Sequence, residues 1–374
     1  MFMQVKSFLK KALATTGIAL LMMSPAHAIY KKSPCERLNN SGNRADYPPK
    51  PGPFAFSFPK DMNLNDPIDF YFFADFVAMQ PQEDGLDYAI KDNDVSGTIL
   101  PIEGGDVEGF STGGQNWAWD YSSRVGLGGY FSHDAWNLEL SWLWFRTSQE
   151  VSESVRQSGG YIPLWVLVQT NVPDTSNEST SARWHIWLNL VDASLAKPYH
   201  VSRYLIVSPF FGLRGGNIDQ DYAARYSGSF NNTGPKQCTA SNNFWGVGPR
   251  AGVNTEWLLG TSVNLRFLSH MSLSSLYGNF DVSQSVPGST QYTYNNCFTR
   301  NAVNMDLQLG FGWGIYFNED RSFFSMRAMY EFQQWWDQNW LRITQGDSPT
   351  FLSDVVSRGD LRLNGVSLRF QFDF

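Results

Sequence analysis

The sequence predicts an all-β fold: a transmembrane antiparallel β-barrel of about ten strands in the outer membrane of a Gram-negative bacterium. Three features carry that reading. Segment after segment sets large apolar residues against polar ones with a period of two, which places the two sets on opposite faces of a strand. The connections alternate between short and long, and the chain ends on an aromatic, Phe374. Charged residues make up only 17% of the chain and aromatics 16%, a balance that suits apolar belts on an outer surface better than a helical enzyme.

Lys6, Lys10 and Lys11 precede an apolar run, Ala12 to Met23, and Ala26-His27-Ala28 offers small residues where signal peptidase reads. Residues 1–28 therefore read as a secretory signal, the run being shorter than the roughly 20 residues of a bilayer helix. No later stretch resembles a membrane helix, so a membrane location requires a barrel. The signal removes three lysines and no acid, leaving 25 basic and 35 acidic residues, a formal charge of −10. That charge argues against nucleic acid as a partner. Residues 29–66, with Pro48-Pro49-Lys50-Pro51-Gly52-Pro53, read as a periplasmic Pro-rich leader or plug, and 67–374 as the barrel.

Strand 1, about 68–79, sets Ile68, Phe70, Phe72, Ala74 and Phe76 against Asp69 and Asp75. After a long loop, strand 2 (about 117–131) opposes Val125, Leu127 and Phe131 to Arg124. A short turn leads to strand 3, where Trp136, Leu138, Leu140, Trp142 and Trp144 alternate with Asn137, Glu139 and Ser141. Loop 147–180 contains an apolar patch, Tyr161 to Val168, that is either an inward constriction or an extra hairpin strand; with the latter, a count of 12 stays open. Strand 4 (about 182–195) places Ala182, Trp184, Ile186, Leu188 and Leu190 opposite Arg183, His185 and Asn189.

Strand 5 (about 203–218) sets Phe211 and Leu213 against Arg214, and loop 219–241 follows. Strand 6 (about 243–258) sets Trp245, Val247 and Trp257 against Arg250, Asn254 and Glu256. Strand 7 sets Leu265, Met271 and Leu273 against Arg266 and His270, before loop 281–301. In strand 8, Val303 to Phe317 alternates without a break against Asn304, Asp306, Gln308 and three glycines. Strand 9 sets Met326, Ala328 and Tyr330 against Arg327 and Glu331. After loop 337–360, strand 10 sets Val366, Leu368, Phe370, Phe372 and Phe374 against Ser367, Arg369, Gln371 and Asp373. Short connections follow strands 2, 4, 6 and 8, as periplasmic turns would.

With apolar faces toward lipid, the lumen-lining residues are Arg124, Glu139, Arg183, Arg214, Arg250, Glu256, Arg266, Asp306, Arg327, Glu331 and Arg369, joined by Asp69, Asp75 and Asp373. These groups line a narrow ion-bearing channel or fill a closed barrel with salt bridges, since small barrels have interiors that side chains can occupy. Trp117, Trp119, Trp142, Trp144, Trp245 and Trp335 fall at external strand ends and Trp136, Trp257 and Trp313 at periplasmic ends, as interfacial girdles do. Cys238 and Cys297 fall in neighbouring external loops and could pair in an oxidising compartment, leaving Cys35 odd.

Catalysis is the competing class. His133 and His200 fall in periplasmic turns, His185 and His270 face inward, where Asp and Glu are available, and no Gly-x-Ser-x-Gly is present. The expectation is no enzyme, no metal and no cofactor. The expected partners are outer-membrane lipid and lipopolysaccharide, the barrel assembly machinery that would read Phe374 as an assembly signal, small solutes, and further copies in a homo-oligomer.

Several segments resemble the Legionella-type major outer membrane protein family, pore-forming barrels similar to the chlamydial major outer membrane proteins. They include Ala74-Asp75-Phe76 with Gln82-Glu83-Asp84-Gly85-Leu86-Asp87-Tyr88-Ala89, Ala182-Arg183-Trp184, Tyr199-His200-Val201-Ser202-Arg203-Tyr204, Pro209-Phe210-Phe211-Gly212-Leu213-Arg214-Gly215 and Gly246-Val247-Gly248-Pro249-Arg250-Ala251-Gly252. The resemblance implies porin-like diffusion of small hydrophilic solutes and cysteine cross-linking in some members. The alternative is a closed structural barrel whose external loops act as a surface adhesin.

Overall fold

The computed structural model describes residues 68–92, 106–110, 118–131, 136–154, 160–166, 177–202, 204–228, 236–260, 265–286, 292–317, 322–346, 352–356 and 359–374. The segments expected as signal and leader, with Cys35, Trp117 and His133, lie outside the described residues. Ten long strands carry the fold: β1 (Ile68–Glu83), β2 (Asp120–Phe131), β3 (Trp136–Ser154), β4 (Asn177–Ala196), β5 (Leu205–Gly228), β6 (Lys236–Gly260), β7 (Leu265–Val286), β8 (Tyr292–Phe317), β9 (Ser322–Asn339) and β10 (Gly359–Asp373). Each pairs antiparallel with its sequence neighbours, and β1 pairs with both β2 and β10, so the sheet closes into a ten-strand barrel without an edge. At the seam Phe70 and Phe374 exchange backbone hydrogen bonds of 3.2 and 3.0 Å.

The outward faces form an apolar band. Phe72, Phe76, Leu127, Trp142, Phe211, Leu273, Phe311 and Tyr330 are all exposed. On β6 the outward Trp245 and Trp257 bracket it, and the tilted strand between them spans about 30 Å, the thickness of a hydrocarbon core. Inside, Gly126 and Gly128 on β2 leave slots for neighbouring rings: a Cβ on them would lie 2.2 Å from Phe73 Cζ and 2.2 Å from Tyr71 Cζ.

Four strands are much taller than a membrane requires. β5, β6, β7 and β8 have 24, 25, 22 and 26 residues, whereas about 9–11 suffice to cross a bilayer. Their outer halves stand in water, and there the alternation changes sign. On β7, Phe280 and Val282 are buried inward while Asp281 points outward; on β5, Ile218, Tyr222 and Tyr226 are buried while Asp221 lies on the opposite face. Segments 219–228, 236–241, 281–286 and 292–301, expected as loops, are therefore strand. Trp335, expected in the external girdle, is fully buried in the same inner core.

That core is closed by the chain between the strands. Ala89–Asp92 pairs with both Asp106–Glu108 and Gly160–Pro163, and Tyr161 aligns with Asn177 of β4. The patch beginning at Tyr161 is thus both things expected of it: a short strand, and, at Leu164-Trp165-Val166, an inward plug. Trp165 is fully buried, its ring centroid 4.6 Å from that of Tyr222, and its indole N–H donates to the Asp87 carbonyl at 2.6 Å. The Tyr226 hydroxyl donates to the Tyr88 carbonyl at 2.6 Å. After β9, Leu341 joins this core and Trp340 packs edge-on against Phe298 at 5.0 Å.

A carboxyl group is out of place in the core. Glu83, on β1 above the apolar band, is buried and neither carboxylate oxygen accepts a hydrogen bond. Burial pushes its carboxyl well above the usual range and Asp84 adds to this. A carboxyl whose affinity for protons is higher in the folded state stabilises the fold fully below the unfolded value, about 4.3. That contribution is lost as pH rises through the folded value. Glu83→Gln, which needs no ionisation, is therefore expected to stabilise the barrel at neutral pH by about 1–3 kcal/mol, with no gain near pH 4; denaturant titration at both pH values measures it.

Candidate channel interior

Inside the apolar band the lumen carries a layer of interlocked charges. Arg124 on β2 reaches Asp75 at 3.0 Å and Glu331 on β9 at 2.7 Å. Arg369 on β10 meets the other oxygen of Asp75 at 2.8 Å and Glu139 at 3.9 Å, its guanidinium 3.7 Å from the Phe73 ring centroid. Across the lumen, Arg214 binds Asp192 at 2.6 Å and Asp306 at 2.7 Å, and Arg250 binds the same two carboxylates at 3.1 Å each. Arg266 pairs with Glu256 at 3.2 Å. Asp75, Asp192 and Asp306 are each shared between two arginines on different staves, so these ion pairs also tie the wall together. Their burial makes the network costly to break at one member.

Of the eleven predicted lining residues, Arg124, Glu139, Arg214, Arg250, Glu256, Arg266, Asp306, Arg327, Glu331 and Arg369 border one cavity or pair with a residue that does. Arg183 does not. It lies on the outer surface above the membrane, paired with Glu150 at 2.7 Å with both side chains more than half exposed. The assignment of faces on β4 is reversed: Ala182, Trp184, Ile186, Leu188 and Leu190 are buried inward as part of the plug core. The lipid-facing set is Val191, Ala193 and Leu195, whose register partners on β5 include the exposed Leu213 and Phe211. Asp192 follows from the same alternation, and its absence from the predicted set is a consequence of the reversed face.

The predicted Cys238–Cys297 bridge is not formed: both thiols are free. Cys238 is buried inward on β6, whereas Cys297 is exposed on β8. Register places Cys297 beside Asp281 of β7, while Thr239, next to Cys238, faces Ser285. The two cysteines thus lie one strand and several residues apart, on the order of 20 Å, beyond the roughly 7 Å Cα limit for a disulfide. Burial pushes the Cys238 thiol up to about 12, which leaves it unreactive.

The cavity on the periplasmic side of the charge layer has a volume of about 130 Å³, room for around ten waters. His270 belongs to its wall: its Nδ1 meets Asn254 Oδ1 at 2.5 Å and its ring stacks on Phe210 at 5.3 Å. His185, expected to face inward, lies on the outer surface with the rest of the reversed face of β4, where Arg146 Nε donates to its Nε2 at 3.1 Å. Among the described residues no group of three or more His, Cys, Asp or Glu side chains is placed to hold a metal ion.

Residues 66–374 match the family described as Legionella pneumophila major outer membrane protein precursor. The chain belongs to that family. Its outer-membrane location follows, and the closed barrel with its outward apolar band is the architecture such a location demands. No curated protein matches the sequence. Among solved structures, the outer membrane protease OmpT of Escherichia coli is similar at 9% identity and a TM-score of 0.36, over 82% of this chain and 97% of that one. A FadL homologue of Pseudomonas aeruginosa is similar at 8% identity and a TM-score of 0.28, over 83% and 90%. The toluene transporter TodX of Pseudomonas putida is similar at 9% identity and a TM-score of 0.29, over 82% and 89%. For this family member, the interior therefore has to be read from its own residues.

Proposed function

We propose that this barrel is a plugged channel, which passes small hydrophilic solutes by diffusion when the segment around Trp165 leaves the mouth. The observation that carries this reading is the polar bay: inside the membrane band the wall is mostly Arg, Asp, Glu, Ser, Asn and Gln, with a cavity among them. Both signs of charge are present, so selectivity by charge would be weak. The plug itself favours a second reading, a closed structural barrel whose tall external wall meets other surfaces. That wall sets Ser148, His185, Asp221, Ser241 and Ser283 in one register row across β3 to β7, a polar belt at the height of lipopolysaccharide. No catalytic role is assigned to His185 or His270 in either reading, and further copies of the chain would pack through the apolar band. Planar-bilayer recording separates the two: a channel gives stepwise conductance that rises when the plug is weakened, and a structural barrel, shown folded by heat-modifiable migration, stays silent in both forms.

Phe374 is proposed as the signal by which assembly machinery engages the chain. Its ring is exposed at the seam, beside Phe372 at 5.9 Å, while its backbone closes the pairing with Phe70. Deleting Phe374 is expected to lower surface abundance several-fold while leaving the conductance of each inserted barrel unchanged; quantitative surface labelling that finds normal levels rejects this role.

A further inference from the structure

We propose that the periplasmic bay holds a binding site for a small oxyanion, a phosphate or a carboxylate, centred on Arg327. Arg266 on β7, Gly312 on β8, Arg327 on β9 and Arg369 on β10 occupy one register row. Gly312 places no side chain between the first two arginines; a Cβ there would come within 2.9 Å of Leu268 Cδ1 and 3.4 Å of Arg327 Cγ. Arg266 is held by Glu256 and Arg369 by Asp75. Arg327 borders the cavity, and among the described residues its guanidinium has neither a hydrogen bond nor an ion pair. It stands directly opposite Arg369, and like charges opposed across a strand pair destabilise the sheet.

A second observation lies beside it. Ser325, two residues along the same face and 4% exposed, has a buried hydroxyl with no hydrogen-bond partner. A guanidinium fork without a carboxylate and a hydroxyl without an acceptor lie within one pleat repeat, about 6.6 Å. Both lack the same thing, an oxygen acceptor carrying negative charge. The guanidinium matches the two oxygens of a carboxylate or phosphate in a bidentate pair. The cavity volume and the acidic groups farther along the same two strands, Glu331 on β9 and Asp306 on β8, restrict the ligand to a small ion. The site goes beyond the channel reading and does not rest on it, because binding is measured at equilibrium whether or not the barrel conducts.

The test is calorimetric titration of the full chain in detergent micelles with inorganic phosphate, and in a separate arm with succinate. Saturable binding is expected in at least one arm, and the stronger arm identifies the source. Arg327→Gln is expected to weaken it roughly tenfold or more, and Ser325→Ala about threefold. Arg183→Gln, on the outer surface, should change nothing. Arg327→Lys keeps the charge and loses the fork, so it should fall between wild type and Arg327→Gln and serves if the glutamine variant does not fold. Absence of saturable binding in both arms, or equal affinity in wild type and the folded Arg327 variants, overturns the site.

Discussion

Truncating Trp165 to alanine is expected to raise the open probability of the barrel in a planar bilayer by about two orders of magnitude. Trp165 is fully buried between Tyr222 and the Asp87 carbonyl, and replacing such a side chain by alanine costs about 3–5 kcal/mol. The cost falls on the plugged state alone. Once the segment has left the mouth its indole is in water, so removing it there changes little. Each 1.4 kcal/mol of that difference is worth about a factor of ten in the ratio of open to plugged forms, and some relaxation of the cavity lowers the total. Deleting residues 160–166 should go further and leave a constitutively conducting barrel whose step size reports the width of the charge layer. If both variants fold, shown by heat-modifiable migration, and both stay silent, the channel reading fails and the closed structural barrel stands.

The plug explains where the sequence was legible and where it was not. Alternation says that two faces of a strand differ; it does not say which one is inside. On β8 from Val303 to Ile315 the rule that apolar faces meet lipid assigns the faces correctly, because that stretch lies in the bilayer. On β4 the same rule misplaces Arg183, because Ala182 to Leu188 stand above the membrane, where water is outside and the apolar set turns inward. β10 crosses the boundary within one strand: Leu361 and Leu363 are fully buried, whereas Val366 and Phe370 face lipid. The sign of the pattern flips with no break in its period, so the outer halves of β5 to β8 resembled polar loops and Cys238 was placed in one. The inward arginines were legible because, within the membrane band, a guanidinium opposite an apolar run has only the lumen to occupy. Their pairing was not, since Arg124 meets Glu331 through the closure of the sheet, 207 residues along the chain.

Arg124→Met is expected to destabilise the barrel by about 3–5 kcal/mol, the cost of leaving buried acids without their partner. Two carboxylates are affected unequally. Asp75 keeps Arg369 at 2.8 Å, whereas Glu331, whose side chain is fully buried, loses the guanidinium that contacts both its oxygens at 3.0 and 2.7 Å. Most of the loss should therefore reside at Glu331. Adding Glu331→Gln to Arg124→Met should restore a large part of the stability, so that the double variant lies well above the sum of the two single ones. The exposed pair on the outer wall supplies the contrast. Arg183→Met removes an ion pair with both side chains more than half exposed and should cost about 1 kcal/mol or less. Denaturant unfolding in micelles measures all four variants. Equal losses at Arg124 and Arg183, or a double variant no better than additive, would show that the inner charges are solvated in the folded barrel and that the layer between β2 and β9 is water-filled rather than interlocked.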